Sequence, residues 1–258
     1  MGTSRAYSGS GGKDGKAIRD TIKDYLDGLS GSDTGGSDRD PPPLDPVALQ
    51  RVINLIRPRS RSGGGGDGPS GGGGAGGGTG SRGGGGPQRS AASAARTAGR
   101  AAAGAYAYST GDTATLQRLG LDYNELRGLG DEFEVLRRIV DMACSTSDST
   151  IEDHEQRRVA ADVAEWVMEQ QRDGYLPTPE EMVRQTIAVV IAETLLVESG
   201  GLVNNHNQAD VAESDIRDAA EAIAAQVELS VDGAREDEIS RAVEAGLETI
   251  RGIVGGGD

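Results

Sequence analysis

The sequence contains little of what disulfides, metal sites and large cores are built from. Its 258 residues include one cysteine and two histidines, and aromatic residues make up 3% of the chain. The single Cys144 excludes an intramolecular disulfide, and so few histidine and cysteine side chains argue against a transition-metal site. With 35% hydrophobic residues, the chain can bury one modest core, so we expect one folded domain and a long unfolded portion.

Long apolar runs are absent as well. No stretch of about 18 apolar residues occurs, so no membrane-spanning helix is predicted. The N-terminus has no apolar run typical of a signal peptide, and Ala6 stands where an N-myristoylation signal requires Ser or Thr. We therefore expect a cytoplasmic protein without membrane contact, and the few lysines among many aspartates favour a salt-rich cytoplasm.

Charge is divided unevenly along the chain. Residues 1–104 carry 14 Lys and Arg against 9 acidic residues, which gives +5, whereas residues 105–258 carry 12 against 32, which gives −20. A basic arm therefore precedes an acidic body, and the body is expected to repel nucleic acid.

Two short amphipathic helices are predicted in the arm, after a flexible tail over residues 1–16. Both fall within residues 17–58, where they are joined by a linker rich in Gly, Ser, Asp and Pro. The apolar stripes are too small to form a core alone, so we expect each helix to dock on a partner protein or back on the body. The residues predicted to make that contact are Ile22 and Leu26 in the first helix and Val52, Ile53 and Ile56 in the second.

Residues 59–90 form a Gly-rich tract that predicts a disordered linker. The tract is not a phosphate-binding P-loop, because it contains no lysine. Arginines within the tract and on both sides of it could bind nucleic acid, but no aromatic residue occurs between Tyr25 and Tyr106 to stack on bases, so the sequence favours this alternative less.

Residues 91–258 predict an all-α domain, a bundle of about five or six helices. The clearest helix start is "PTPEEMV", in which Thr178 is the N-cap, Pro179 occupies the first position and Glu181 completes a capping box. The helix that follows is apolar on nearly every side and is expected to be the central core helix. Upstream of it, Phe133, Leu136 and Ile139 predict the buried stripe of another helix.

Candidate catalytic residues are few. "HEQRR" begins like a zinc-protease HExxH helix, but Arg158 occupies the position of the second ligand, so His154 is expected to be an exposed helix residue. His206 lies in a polar loop without a partner at ligand spacing, and Cys144 is flanked by apolar residues that favour an inert thiol. We therefore expect a protein that is not an enzyme and holds no metal or cofactor.

Several segments together resemble one family. "MGTSRAYSGSGG" at the start, and "LQRLGLDYNEL", "DEFEVLRRIVDMAC" and "IEDHEQRRVAADVAEWV" in the body, are similar to QatB, the B subunit of the Qat antiphage defence systems. The resemblance covers the first dozen residues and roughly residues 105–254. After Gly12 this chain departs from the family, because the charged helix "KAIRDTIKDYLDGL" stands where a Pro-rich apolar stretch is expected.

The resemblance implies a role as substrate and assembly component of a defence complex. Its implied partners are an ATPase, a QueC-like enzyme and a TatD-like nuclease of the same system. The QueC-like enzyme is implied to join a 7-deazaguanine group as an amide to the N-terminal glycine, here Gly2 after removal of Met1. Thr3 and Ser4 would then form the tail that this enzyme recognises.

Two other functions stay open on the sequence. One is an unmodified helical adaptor or scaffold that docks partners through its N-terminal helices. The other is an accessory protein that binds nucleic acid through the arginines and glycines of its arm.

Overall fold

The computed structural model describes residues 9–32, 44, 46–56, 90–144, 151–229, 231 and 233–255. Across these residues the chain forms ten α-helices and no β-strand, which confirms the predicted all-α class. The helices are α1 Lys13–Ser32, α2 Pro46–Leu55, α3 Ala91–Thr110, α4 Thr113–Arg118, α5 Tyr123–Gly128, α6 Glu132–Ala143, α7 Ile151–Arg172, α8 Pro179–Glu198, α9 Ala209–Ala224 and α10 Glu236–Gly255.

Helix α8 lies in the core, as its composition predicts. Thr178 and Glu181 form the expected capping box, with Thr178 as the N-cap. Most of its side chains are buried, and Leu195 and Ile187 have no exposed surface. Each such side chain contributes roughly 1.5–3 kcal/mol by leaving water, and α7, α9 and α10 pack around the helix.

Helix α3 is a second central helix, and its sequence indicates this less clearly. It packs against α6, α7, α8 and α10, although its buried residues are mostly alanines and glycines. Small side chains allow close approach: a Cβ atom added at Gly99 would lie 2.3 Å from the Ser240 hydroxyl of α10. The packing of α3 therefore comes from the close approach of neighbouring helices to its small residues, rather than from large side chains of its own.

Among the described residues from 91 onward, the bundle has eight helices in place of the predicted five or six. The difference includes the two short helices α4 and α5, which span six residues each. The carboxylate of Asp112 accepts a hydrogen bond from the Thr115 amide, and that of Asp122 accepts one from the Glu125 amide. Each aspartate thus caps its own helix.

One predicted core residue lies on the surface. Phe133 is 68% exposed, whereas Val135 and Ile139 are buried. Successive helical residues are about 100° apart, so a buried face centred on Val135 and Ile139 places Phe133 near the opposite side. The predicted stripe is therefore wrong at Phe133, but Ile139 is buried and Leu136 packs against the core as predicted.

Helices α1 and α2 pack on the bundle and share its core. α1 contacts α2 and α8, and α2 also contacts α8 and α10. The Tyr25 hydroxyl of α1 donates a hydrogen bond to Asp215 of α9, and the Arg251 guanidinium of α10 donates one to the Ile53 carbonyl oxygen at 3.3 Å. Polar contacts thus accompany the apolar ones on both helices.

The predicted Gly-rich linker lies outside the described residues except for Ser90. Its flanks are close together, because Ile56 and Ser90 line the same cavity of about 20 Å³. The two described residues on either side of the tract, Ile56 and Ser90, therefore lie near each other.

Candidate functional site

The predicted modification site and recognition tail, Gly2, Thr3 and Ser4, lie outside the described residues, which begin at Gly9. The structure does describe where this tail joins the bundle. The tail was predicted to extend over residues 1–16, but Lys13–Lys16 form the first turn of α1. The segment before the bundle is therefore shorter than the sequence suggests.

Gly9 and Ser10 are held on the bundle by Glu198, the last residue of α8. The backbone amide and the hydroxyl of Ser10 each donate a hydrogen bond of 2.8 Å to Oε2 of Glu198. Arg19 of α1 donates a hydrogen bond of 3.0 Å to the Ser10 carbonyl oxygen and lies 3.9 Å from the same carboxylate oxygen. We call Gly9, Ser10, Gly15, Arg19 and Glu198 the N-terminal anchor.

Two glycines of the anchor leave no space for a side chain. A Cβ atom at Gly15 would lie 1.9 Å from the Ser10 hydroxyl oxygen and 2.7 Å from its carbonyl oxygen. Gly9 has φ +87°, which is strained for other residues, and a Cβ atom there would lie 2.7 Å from the Glu198 carbonyl oxygen. The anchor therefore depends on glycine at both positions.

Burial makes the anchor energetically significant. The Glu198 side chain is fully buried and stands at the C-terminal end of α8, where the helix dipole disfavours a negative charge. Desolvating a carboxylate costs several kcal/mol unless charged or hydrogen-bonding groups compensate it. Ser10 and Arg19 supply such groups. The buried Glu198 carboxylate therefore depends on Ser10 for two of its hydrogen bonds, and this holds the N-terminal segment on the bundle.

Fixing Ser10 also limits how far the N-terminus can extend. Gly2 stands eight positions before Ser10. A fully extended chain spans at most about 3.3–3.6 Å per residue, so Gly2 lies within about 29 Å of Ser10. Any group that acts on Gly2 while the anchor is intact must come within this distance.

The residues predicted to dock the front helices are buried in the bundle. The exposed fractions are Ile22 0%, Leu26 4%, Val52 0%, Ile53 1% and Ile56 1%. Of the two surfaces considered for them, a partner protein and the body of the same chain, these side chains lie against the body. In this conformation they offer no free surface to a partner.

A second charged cluster joins three helices around Glu193 of α8, whose side chain is fully buried. Arg158 of α7 lies 2.9 Å from its carboxylate, and Arg217 of α9 lies 3.6 Å from it. Arg217 also pairs with Asp162 at 3.2 Å and with Glu213 at 2.7 Å. Burial raises the pKa of Glu193 to about 7, although Arg158 acts in the opposite direction.

The burial of Glu193 and Glu198 was not predicted from the sequence. A signal was present, since Glu193 and Glu198 interrupt the otherwise apolar run "IAVVIAETLLVE". Charged residues at such positions are almost never fully buried unless they are paired. Ser10 had no comparable signal, because it lies in a Gly/Ser-rich stretch that resembles a flexible tail.

The residues considered for catalysis do not form a reactive group. His154 is exposed. Both ring nitrogens of His206 have partners: Nδ1 accepts a hydrogen bond from the Gln208 amide, and Nε2 lies 2.9 Å from the Ser30 hydroxyl. Burial raises the pKa of the Cys144 thiol, which disfavours the reactive thiolate. Among the described residues, no three His, Cys, Asp or Glu side chains are placed to hold a metal ion.

None of the helices in the described ranges is both long and apolar enough to cross a membrane. In comparisons with known proteins, no family model, no curated protein and no solved structure matches this chain.

Proposed function

We propose that this protein is a non-catalytic subunit of a multi-protein antiphage defence complex and that its N-terminal Gly2 is a conjugation substrate. The modifying partner is a QueC-like enzyme that attaches a 7-deazaguanine group as an amide. An ATPase and a TatD-like nuclease complete the complex, which works in the cytoplasm. The proposal rests on the resemblance of the N-terminal and body segments to QatB.

The N-terminal anchor is the structural observation that supports the proposal most directly. Ser10 is tied to the buried Glu198, so the chain is fixed to the bundle eight positions after Gly2. A substrate segment needs this combination of a body that a partner can hold and a short end that extends from it. The seven residues between Gly2 and Ser10 provide the length for an enzyme bound to the bundle to act on the terminus.

The chemistry of a terminal glycine also fits. Removal of Met1 exposes an α-amine, whose pKa is about 7.7–8.0, so a substantial neutral fraction is available as a nucleophile near neutral pH. Glycine has no Cβ atom and can enter a narrow acyl-adenylate site. The amine attacks the activated carboxyl carbon of the deazaguanine acid, an amide bond forms, AMP leaves, and the amine loses its proton.

Co-expression with the QueC-like protein tests the proposal. Intact-mass measurement should find loss of Met1 together with one added deazaguanine acyl group. The Gly2→Glu variant should retain Met1 and gain no added mass, because methionine is removed only before small residues. Loss of Met1 without any added mass in the wild-type protein would contradict the proposal.

An unmodified adaptor is the second candidate. The clustered apolar side chains at the end of α7, described below, favour a protein that binds partners whether or not it is modified. A Gly2→Glu variant that still protects cells from phage would favour the adaptor. The arginines of the Gly-rich arm, on which the nucleic-acid alternative depends, lie mostly outside the described residues.

A further inference from the structure

Exposed apolar side chains gather at the end of the bundle where α6 begins and α7 ends. Six large apolar side chains are exposed among the described residues, and four of them lie on the two segments that flank this end. These four are Leu129, Phe133, Tyr175 and Leu176. Arg172 at the end of α7 lies 3.4 Å from Glu132 at the start of α6, so the two segments meet.

Phe133 stands out among them. It is the only phenylalanine in the chain, and 68% of its surface is exposed. Leaving a large aromatic side chain in water forgoes the stabilisation that burial would give. The Phe133 backbone amide donates a hydrogen bond to the N-cap carboxylate of Asp131, which fixes the backbone at this position. Any side chain at residue 133 would allow this hydrogen bond, so it does not explain why the side chain is phenylalanine.

Two adjoining cavities open beside Phe133. The smaller, of about 170 Å³, is lined by Phe133, Leu136 and Met168 together with acidic residues. The larger, of about 350 Å³, includes Tyr108 and Ser109 from the end of α3. Both are lined by Glu132, Met168 and Arg172, so they lie side by side, and we call the two together the depression.

The rim of the smaller cavity is acidic. Glu132, Glu165 and Glu169 line it, and Arg172 is the only basic residue there. Arg172 is shared, at 3.4 Å from Glu132 and 3.2 Å from Glu169. Glu165 makes no ion pair within the described part of the chain, so the rim keeps an excess of negative charge.

One residue that lines the larger cavity has an unsatisfied polar atom. The Ser109 hydroxyl oxygen is buried and has no hydrogen-bond partner among the described residues. Buried polar atoms are nearly always satisfied in folded proteins, and a bound segment could supply the missing partner.

We infer that this depression, with Phe133 at its edge, is a docking site for a basic segment of a partner protein. An apolar side chain of that segment packs beside Phe133, Leu136 and Met168, and its Lys or Arg side chains lie against Glu165 and Glu169. An aromatic anchor beside an apolar pocket is the usual centre of a binding hot spot. The acidic rim selects for basic partners and speeds their association.

Charge also argues against a second copy as the occupant. Two copies related by a two-fold axis would bring the same surface patch together, and the acidic rims would repel each other. The inference does not depend on modification of Gly2, since the depression is lined by residues of α3, α5, α6 and α7 and of the turn before α6, and includes no residue of the N-terminal anchor.

Fluorescence anisotropy with the full-length protein and three labelled synthetic peptides tests the site. The first is a helical peptide with leucines on one face and Lys and Arg on the other, the second has serines in place of the leucines, and the third has Glu in place of the basic residues. The first should bind, and the other two should bind about tenfold more weakly or not at all. Phe133→Ser should weaken the first peptide about tenfold, and Glu165→Lys should weaken it by a smaller factor that shrinks at high salt.

Val211→Ser is the matched control, because Val211 is also an exposed apolar residue but lies at the start of α9. It should leave the affinity for the first peptide unchanged. The inference is overturned if the first peptide does not bind, if the serine peptide binds equally well, or if Phe133→Ser and Val211→Ser behave alike. It is also overturned, in favour of a second copy, if size-exclusion chromatography finds a dimer that Phe133→Ser dissociates.

Discussion

Glu198 accepts two hydrogen bonds from Ser10, a residue 188 positions earlier in the chain. The contact joins the first described residues to the end of the central helix α8. Since both partners are buried, removing either one leaves polar groups without compensation. The relationship makes the N-terminal segment part of the fold.

Glu198→Ala should destabilise the protein and release the N-terminal segment. The backbone amide and hydroxyl of Ser10 would lose their acceptor, and a loss of about 1–3 kcal/mol in the free energy of unfolding is expected. Chemical denaturation measures the loss, and hydrogen exchange should speed up at Ser10. Ser10→Ala keeps the hydrogen bond from the backbone amide of residue 10 to Glu198, so it should lower the free energy of unfolding less than Glu198→Ala does. Equal stability of Glu198→Ala and the wild-type protein would contradict the anchor.

Gly15→Ala and Gly12→Ala form a matched pair. A Cβ atom at Gly15 would collide with Ser10, and the nearest Ser10 atoms include backbone that cannot rotate away. At Gly12 nothing lies within 4 Å of an added Cβ atom. Gly15→Ala should therefore cost about 1–3 kcal/mol despite the better helix propensity of alanine, and Gly12→Ala should be nearly neutral. Thermal unfolding of the two variants measures the difference in stability, and similar melting temperatures would contradict the close approach of Gly15 to Ser10.

Glu193 should make stability depend on pH. Its pKa is raised from about 4.5 in the unfolded chain to about 7 in the folded one, so between these values the folded state holds a proton that the unfolded state has released. The resulting stability is fully present below about pH 4.5 and is lost as the pH rises through about 7. Arg158 is half exposed, so water screens its charge. Its ion pair with Glu193 therefore does not offset the free-energy cost of burying the ionised carboxylate.

Glu193→Gln tests this dependence, because glutamine is neutral at every pH. Urea unfolding at several pH values should give a falling free energy for the wild-type protein and a flatter profile for the variant, with a difference of roughly 1–3 kcal/mol across the window. Glu165→Gln, at an exposed position of α7, is the control and should keep the wild-type slope. The same slope in Glu193→Gln and the wild type would mean that Glu193 is ionised throughout.

Local sequence signals predicted much of the fold. The capping box at Thr178 and the apolar run after it located α8, and the stripes of α1 and α2 correctly identified buried side chains such as Ile22 and Val52. The centrality of α3 was missed because alanine and glycine carry a weak hydrophobic signal, and its tight packing is a property of the neighbouring helices. Phe133 was misplaced because an apolar residue in the first turn of a helix suggests burial, whereas Val135, about 200° further around the helix, takes the buried position.

The anchor could not have been predicted from local patterns. Contacts between residues far apart in sequence leave no periodicity, and "GSGGKDG" has the composition of a flexible linker. Only the two glutamates in the apolar run of α8 pointed to buried partners, and nothing in the sequence indicated which donors those partners would be.

The length of the tail provides the last prediction, and it combines the anchor with the proposed modification. Deleting residues 5–8 keeps Gly2, Thr3 and Ser4 and leaves the anchor intact, but it shortens the reach of Gly2 from Ser10 by about 13 Å. In co-expression with the QueC-like protein, intact mass should then show Met1 removed and the added acyl group strongly reduced, because Gly2 no longer reaches an enzyme held on the bundle. Replacing residues 5–8 with Gly-Ser-Gly-Ser keeps the length and should preserve the added group. If the deletion is modified as fully as the wild type, reach is not limiting. If both variants lose the modification, the enzyme reads residues 5–8 directly and the length of the tail is not what matters.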